Sequence, residues 1–492
     1  MMAMAMAKEE ISALLARIPT QCFIGGRWRE ASDGATMPVG DPANGEVIAE
    51  VASGSIDDAT AAVDAASAAL GPWTAIAPRE RGEILRRAFA LMIERREELA
   101  ALMVLENGKT LSDARGEVTY AAEFFRWYSE EAVRNQGAIT TAPAGTNRIL
   151  VVYQPIGVAV LVTPWNFPAA MLTRKMGPAL AAGCSVVCKP ASETPLTAFA
   201  IAGLLAEAGL PDGVVNVVAS RHSSAFVGAL LADRRVRKLS FTGSTEVGRL
   251  LLEAAAQRIV NCSMELGGNA PFIVFGDADL DAAVTGAMVA KMRNGGEACT
   301  AANRFYVEES VAEEFSRRFV AAMQGLKMGP GLDPDTHLGP LVNEASRDKV
   351  AELVDGALAS GAEALTGGAR PGGQGWFYPP TVLGGVQPTS PILSEEIFGP
   401  VAPIVAFGSE REAVELANAT DLGLVSYLYT ADFSRGLRVA EALECGMVGL
   451  NRGMVSDPAA PFGGTKQSGL GREGGHEGVA EYLEAKYIAC DW

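Results

Sequence analysis

The sequence predicts an α/β protein of roughly two or three domains built around a parallel β-sheet. Its 492 residues are too many for a single hydrophobic core. Between residues 158 and 256, short and almost wholly apolar segments alternate with helical patterns, which is typical of parallel strands covered on both faces. A second series of this kind begins at residue 270. We predict strands at 158–163, 185–188, 214–218 and 238–242, and helices at 169–182, 195–208, 223–232 and 246–256.

The flanking elements are predicted from the same periodicities. Residues 56–134 have apolar positions at three- and four-residue spacing, so this stretch should be helical with short breaks, one of them at Gly108. The alternating pattern near the C-terminus predicts a strand that is able to pair with another subunit. These further elements are helices at 56–70, 79–105 and 280–292, and strands at 148–153, 270–275 and 480–489.

Composition and charge exclude several classes of function. Acidic residues outnumber basic ones by 58 to 41, which leaves a net charge of −17. Nucleic acids and anionic membranes require clustered Lys and Arg, so neither is an expected partner. No apolar stretch is long enough to span a bilayer, and the first residues lack the pattern of a signal peptide. The 7 cysteines are scattered without zinc-site spacing, so we expect a cytoplasmic protein that binds no metal.

Cys299 is the strongest candidate for a nucleophile. It follows Gly295-Gly296, and glycines allow the backbone to approach a ligand closely. Taken alone, a cysteine is more often a buried structural residue. The 3 histidines lie in no setting that suggests a Cys–His pair, which argues against a Cys–His hydrolase. Glu265, at the end of a predicted strand and just before Gly267-Gly268, is the better candidate for a base.

The predicted parallel sheet also indicates where a ligand binds. Ligands of such sheets lie beyond the carboxyl ends of the strands, which here are followed by loops 164–167, 189–192 and 243–244. Gly243-Ser244 opens a predicted helix, and the free N–H groups at a helix start suit a pyrophosphate. The GxGxxG fingerprint of dinucleotide-binding proteins is absent from this position.

A series of short motifs occurs in one order along the chain. Each is weak alone, but together they resemble the aldehyde dehydrogenase superfamily from about residue 20 to the end, and within it most closely the succinate-semialdehyde dehydrogenases. The motifs are TPWNFP from Thr163, KPAS from Lys189, FTGSTEVG from Phe241, ELGG from Glu265, the single Cys299, EEIFGP from Glu395 and PFGGTKQSG from Pro461.

The resemblance implies a three-part fold. It consists of a Rossmann-like parallel-sheet domain for the cofactor, a second α/β domain for catalysis and a β-structured oligomerisation arm, which makes a homodimer or homotetramer the expected assembly. The implied bounds are 20–134 and 155–264 for the dinucleotide-binding domain, 265–450 for the catalytic domain, and 135–154 with 475–492 for the arm.

The same resemblance implies the catalytic roles. Cys299 is expected to attack the aldehyde carbon and to form a thiohemiacetal, which hydride loss converts into a thioester. Glu265 is expected to be the general base for the thiol, for the hydrolytic water, or for both. The side-chain amide of Asn166 and the backbone N–H of Cys299 are expected to form the oxyanion hole. The product is then a carboxylic acid.

A nicotinamide dinucleotide is the implied cofactor. NAD-preferring relatives often carry a glutamate at the position of Ser192, whose carboxylate would repel a 2′-phosphate. A serine leaves room for that phosphate, with Lys189 close by, so NADP⁺ should be used and preferred over NAD⁺. The residues expected to bind the cofactor are Trp165, Lys189, Ser192, Gly243, Ser244, Leu266, Glu396 and Phe398.

Three further positions resemble those that hold the far carboxylate of succinate semialdehyde. They are Arg174, Arg293 and Ser456, and an arginine fork suits a carboxylate through charge-assisted hydrogen bonds. Two departures stand near the nucleophile. Ala301 occupies the place of a second cysteine that many members carry, and Glu297 replaces the usual glutamine.

The two departures leave room for a different ω-carboxylated semialdehyde, such as glutarate semialdehyde. An aminoaldehyde is a rival substrate, although a cationic substrate conflicts with Arg174 and Arg293. Acyl transfer to coenzyme A is a second alternative, against which the presence of Glu265 argues. A non-catalytic structural protein that has kept the fold is the third.

Overall fold

The computed structural model describes residues 8–491, and the first of its two large sheets has eight strands. The central strands run parallel, and antiparallel strands close both edges. In spatial order the strands are Arg27–Arg29, Cys22–Ile24, Val215–Val217, Ser185–Lys189, Val158–Val162, Val236–Thr242, Asn261–Glu265 and Gly469–Leu470.

The second large sheet has seven strands, and all of them except the first run parallel to their neighbours. In spatial order they are Glu363–Thr366, Thr381–Gly384, Val401–Phe407, Ala302–Glu308, Ala270–Val274, Val425–Tyr429 and Met447–Leu450.

Smaller sheets complete the β-structure. The largest of these is antiparallel, with Arg148–Pro155 between Leu483–Cys490 and Ala138–Thr141. Two-stranded pairs are Thr36–Gly40 with Val47–Ala52, and Leu422–Gly423 with Thr465–Lys466.

Helices cover the sheets and link their strands. The α-helices are Lys8–Leu15, Ile56–Ala75, Pro78–Glu94, Arg96–Asn107, Leu111–Glu131, Ala170–Ala182, Pro195–Glu207, Ser223–Ala232, Thr245–Ala256, Leu280–Met292, Glu309–Gln324, Glu344–Ala359, Glu410–Asn418, Phe433–Ala442 and Glu477–Ala480. Short 3₁₀ turns span Arg293–Gly296 and Pro391–Leu393.

The strand Val158–Val162 shows why the first sheet can be predicted from the sequence. Ala159 and Leu161 pack into one apolar cluster, whereas Val158, Val160 and Val162 pack into another on the opposite face. Because both faces are buried, every position of the strand is apolar and the usual alternation with polar residues disappears. The predicted parallel sheet is therefore confirmed, and the predicted helices 223–232 and 280–292 have the bounds expected.

Other predictions were less accurate. The single helix predicted at 79–105 is divided at Arg95, whose backbone (φ −99°, ψ 23°) leaves the helical range, although Gly108 does end the second part in a left-handed conformation. The antiparallel edge strands were not predicted because each has only two or three residues. The predicted C-terminal strand is present and pairs along one edge with Arg148–Pro155, and its pairing with another subunit stays a prediction. The domain bounds stay a prediction.

The C-terminal segment positions the site because it returns to the first sheet. After the last strand of the second sheet, Gly469 and Leu470 pair with Glu265 and Met264. This brings the 461–475 loop beside the carboxyl end of Asn261–Glu265, next to the start of the second sheet. Within residues 8–491, no helix combines the length and apolar character that crossing a membrane requires.

Candidate active site

A cavity of about 250 Å³ opens where the carboxyl ends of the first sheet face the second sheet. Its walls come from loops that follow the strands of the first sheet, from the nucleophile loop and from the segment around Glu396. The lining residues are Pro164, Trp165, Asn166, Met171, Thr242, Gly243, Ser244, Leu266, Gly267, Cys299, Ser346, Lys349, Glu396, Ile397 and Phe398. Ser346 and Lys349 lie on the helix Glu344–Ala359, which carries no motif that would have predicted them.

Cys299 reaches the cavity from a tightly packed loop. Asn294, Gly295 and Gly296 all have positive φ angles of 53°, 63° and 82°. A Cβ on Gly296 would lie 2.3 Å from the carbonyl oxygen of Gly399, so this position has no room for a side chain. Burial raises the pKa of the Cys299 thiol to about 12 against the opposing charge of Arg174. The thiol is therefore protonated at neutral pH and needs a base before it can act as a nucleophile.

Asn166 also lines the cavity, and hydrogen bonds hold both its side chain and its backbone. Its side-chain Nδ2 donates to the carbonyl oxygen of Glu297 at 3.0 Å, and Asn294 Nδ2 donates to that same carbonyl at 3.1 Å. Asn294 Nδ2 also donates to the backbone carbonyl of Asn166 at 2.9 Å. One N–H of the Asn166 amide is thus fixed, which leaves the second available to a substrate oxygen.

Glu265 is the third predicted catalytic residue. Its side chain is buried, does not line the cavity with Cys299, and has no hydrogen-bond partner for either oxygen among the described residues. A Cβ on Gly463 would lie 2.9 Å from its Oε1, so the carboxyl group points towards the 461–464 loop. Burial and the charge of Glu473 raise its pKa well above the ordinary value, although Arg174 acts in the opposite direction. Cys299 and Asn166 line one cavity, and the convergence of Glu265 with them stays a prediction; the charge of Glu265 does raise the pKa of the Cys299 thiol.

Arg174 has a buried counter-charge, and its place in the substrate site stays a prediction. Its side chain is 1% exposed, and its Nε lies 2.7 Å from Oε2 of Glu473. Its guanidinium also packs over the ring of Phe462 at 4.1 Å. Lys175 binds the other oxygen of Glu473 at 2.5 Å. Burial alone would raise the pKa of Glu473, but the charges of Lys175 and Arg174 outweigh it and hold that pKa below its usual value.

Arg293 and Ser456, by contrast, do lie together. Arg293 Nη1 donates to Ser456 Oγ at 3.2 Å, and both residues are partly exposed. The guanidinium packs over the rings of Phe167 at 4.8 Å and Tyr120 at 5.6 Å. Arg174 has a counter-charge of its own in Glu473, which is far away in sequence. Nothing in the local pattern around Arg174 indicated that partner.

The residues expected to bind a dinucleotide fall into two groups. Six of the eight line the cavity, whereas Lys189 and Ser192 do not. Ser244 caps the helix Thr245–Ala256, with its Oγ accepting from Val247 N at 3.3 Å. Trp165 and Phe398 meet edge to face at 5.4 Å.

Two ionisable groups of this set have shifted pKa values. Glu396 Oε1 accepts from Gly268 N at 3.1 Å, and burial raises the pKa of this carboxyl to about 7. Burial lowers the pKa of Lys189 to about 8. The helix start at Ser244 and the carboxyl acceptor Glu396, which both line the cavity, fit the phosphates and ribose hydroxyls of a dinucleotide. Among residues 8–491, no three His, Cys, Asp or Glu side chains are grouped to hold a metal ion.

Comparison with known proteins gives a consistent result. The model of the Aldehyde dehydrogenase family matches residues 28–488. A succinate-semialdehyde dehydrogenase of Paenarthrobacter nicotinovorans is 58% identical over 90% of this chain and 98% of its own. A glutarate-semialdehyde dehydrogenase of Pseudomonas putida is 49% identical over 95% and 97%. The crystal structure of an NADP-dependent enzyme from E. coli has a TM-score of 0.96 at 47% identity and covers 98% of this chain and 99% of that one.

Proposed function

This chain belongs to the aldehyde dehydrogenase family, and we propose that it oxidises succinate semialdehyde to succinate with NADP⁺ as the hydride acceptor. The proposal rests on the short path through the site from the nucleophile to a cationic side chain. Cys299 and Asn166 line the cavity. Phe167, the next residue, lies beneath Arg293, which binds Ser456.

In the proposed reaction, the sulfur of Cys299 attacks the aldehyde carbon and the carbonyl oxygen becomes an oxyanion. The free N–H of the Asn166 amide donates to that oxyanion together with the backbone N–H of Cys299. A preorganised donor of this kind is worth about 3–4 kcal/mol of transition-state stabilisation. When the oxyanion collapses, the C–H bond breaks and leaves a thioester on Cys299.

Glu265 is the proposed base. Its raised pKa means that the carboxylate form of Glu265, once ionised, is a stronger base than an exposed carboxylate, so this form is suited to take the proton from the thiol and then from water. Water adds to the thioester, and the C–S bond breaks to release the carboxylate and the thiol. The charge of Glu265 already acts on the Cys299 thiol, whose pKa it raises.

A nicotinamide dinucleotide supplies the hydride acceptor when it is bound. Gly243 and Ser244 would hold its phosphates at the helix start, and Glu396 would accept hydrogen bonds from a ribose. NADP⁺ is proposed over NAD⁺ because Ser192 carries no charge to repel a 2′-phosphate, and Ser192 Oγ already donates to Ser220 O at 3.3 Å.

Arg293 and Ser456 are the proposed partners of the substrate's far carboxylate. The relative from Pseudomonas putida supports glutarate semialdehyde, one methylene longer, as the second candidate. Both substrates place a carboxylate at the end of a short chain, so the choice between them depends on chain length rather than charge.

The test is a comparison of kcat/KM for succinate semialdehyde, glutarate semialdehyde and 4-aminobutanal with each of NAD⁺ and NADP⁺. We expect the first substrate with NADP⁺ to give the highest value. Cys299→Ala should abolish turnover while leaving cofactor binding intact. A preference for 4-aminobutanal, or a product that forms only with coenzyme A, would reject the proposal.

We further propose that the enzyme is a homo-oligomer. The sheet formed by Ala138–Thr141, Arg148–Pro155 and Leu483–Cys490 carries exposed apolar side chains, among them Ile139 at 69% and Tyr487 at 59%. Apolar groups of this size are usually covered in an assembly. Sedimentation equilibrium should give more than one subunit, and Ile139→Glu with Tyr487→Lys should shift the protein towards the monomer.

A further inference from the structure

We infer that a buried ion pair between Lys109 and Glu117 positions the oxyanion-hole amide of Asn166. This inference rests on the proposed role of Asn166 as a donor to the substrate oxygen. Both side chains of the pair are fully buried, and Lys109 Nζ lies 2.5 Å from Glu117 Oε2. Neither residue lines the cavity, so the pair acts through other groups.

Lys109 directly contacts the backbone of the loop that carries Asn166, residues 166–169. Its Nζ donates to the carbonyl oxygen of Asn166 at 2.8 Å and lies 4.5 Å from the ring centre of Phe167. An ammonium group has three donors and no acceptor, so this geometry uses one donor for Glu117 and one for Asn166. The backbone of this loop is therefore bound to the buried ammonium group of Lys109.

Glu117 holds the other end of the same loop. Its second oxygen, Oε1, accepts from the backbone N–H groups of Ala169 at 2.9 Å and Ala170 at 3.2 Å. These N–H groups lie at the start of the helix Ala170–Ala182, where a carboxylate is favoured by the helix dipole. One ion pair, Lys109 with Glu117, thus spans the loop from Asn166 to the first turn of the helix, and we call this pair the clamp.

The backbone that carries Lys109 is itself tightly packed. The carbonyl oxygen of Lys109 would lie 2.1 Å from a Cβ on Gly331, and Leu111 N donates to Gly331 O at 2.9 Å. On its far side, the Asn166 amide is fixed to Glu297, two residues before the nucleophile. The clamp therefore sets the distance between the oxyanion donor and Cys299, a distance on which a small displacement has a large kinetic effect.

The test uses a variant that removes the clamp without leaving a buried charge. Lys109→Met with Glu117→Gln deletes the bond to Asn166 O, whereas the glutamine oxygen still accepts from Ala169 and Ala170. We expect kcat to fall by up to about 100-fold, with the Kd of the cofactor unchanged. Lys109→Arg, which keeps a cation at the site, should recover part of the loss.

A matched control exists elsewhere in the chain. Asp58 is also fully buried, pairs with Arg29 at 3.1 Å and accepts from the backbone N–H groups of Ser32 and Ser55 at a helix start. Arg29→Met with Asp58→Asn should lower the melting temperature but leave kcat within about twofold of the parent. A loss of kcat comparable to that of the Lys109 variant would assign both effects to general destabilisation.

A double-mutant cycle with Asn166→Ala separates this inference from the proposed function. If the clamp acts through the amide, its removal should cost less than about threefold when the amide is already absent. An equal loss in both backgrounds would overturn the inference. If Asn166→Ala alone leaves kcat unchanged, the oxyanion role itself fails. If Asn166→Ala lowers kcat and the clamp variant does not, only the inference fails.

Discussion

The carboxyl group of Glu297 accepts a hydrogen bond from the backbone N–H of Val342 at 3.1 Å, although it stands only two residues before the nucleophile. It does not line the cavity that Cys299 reaches. The carboxyl group that replaces the expected glutamine therefore joins the nucleophile loop to the chain at 342.

The first prediction concerns the pH dependence of stability. Burial raises the pKa of Glu297 from 4.5 to about 8, with the Val342 bond and the charge of Lys109 acting against it. Between those values the unfolded chain ionises at this position while the folded protein stays protonated, so the site loses stability as pH rises from 4.5 to about 8. Glu297→Gln removes this loss. Its stability advantage should grow by about 2–4 kcal/mol across that window.

Thermal unfolding of the parent and of Glu297→Gln at several pH values between 5 and 9 measures this difference. All other titrating groups are shared, so the gap between the two melting temperatures isolates position 297. A gap that stays constant with pH would contradict the assigned protonation.

The second prediction concerns the far carboxylate of the substrate. Arg293→Ala should raise KM for succinate semialdehyde by about 10- to 100-fold, because a charge-assisted hydrogen bond is lost. KM for butanal, which has the same chain length and no charge, should change little. Ser456→Ala should produce a smaller effect in the same direction. An equal rise of KM for both aldehydes would remove Arg293 from carboxylate binding.

The third prediction distinguishes Arg174 from Arg293. Because Arg174 is buried against Glu473, its replacement by Met should destabilise the fold by about 3–5 kcal/mol and lower activity equally for charged and uncharged aldehydes. Lys175 still pairs with Glu473 in this variant, so adding Glu473→Gln would leave Lys175 as an unpaired buried cation and should lower the stability further. A selective loss with succinate semialdehyde would return Arg174 to the substrate site.

The fourth prediction concerns cofactor choice. Ser192→Glu would place a carboxylate where the 2′-phosphate is proposed to bind, and kcat/KM with NADP⁺ should fall by about 10- to 100-fold through like-charge repulsion. With NAD⁺ the value should hold or rise. Ser192→Gln is the control for size without charge. If both variants lose NADP⁺ activity equally, bulk rather than charge is responsible.

The sequence predicts those features of the molecule that neighbouring residues in the chain determine. The strand Val158–Val162 is wholly apolar because both faces are buried, and Gly108 ends its helix because it adopts a positive φ of 91°. The position of Glu265 and the pairing of Arg174 depend instead on Gly463 and Glu473. Gly463 and Glu473 belong to the C-terminal segment, and no local periodicity predicts a contact with it.

The last prediction uses the contact between Gly268 and the nucleophile loop. A Cβ on Gly268 would lie 2.2 Å from the carbonyl oxygen of Cys299, which is backbone and cannot rotate away. Gly268→Ala must therefore displace the loop that carries the thiol, and kcat should fall by about 100-fold or more. Gly228→Ala is the matched control, because its Cβ meets nothing within 4 Å on a helix and should leave kcat unchanged. Full activity in Gly268→Ala would mean that the nucleophile loop tolerates movement of its backbone.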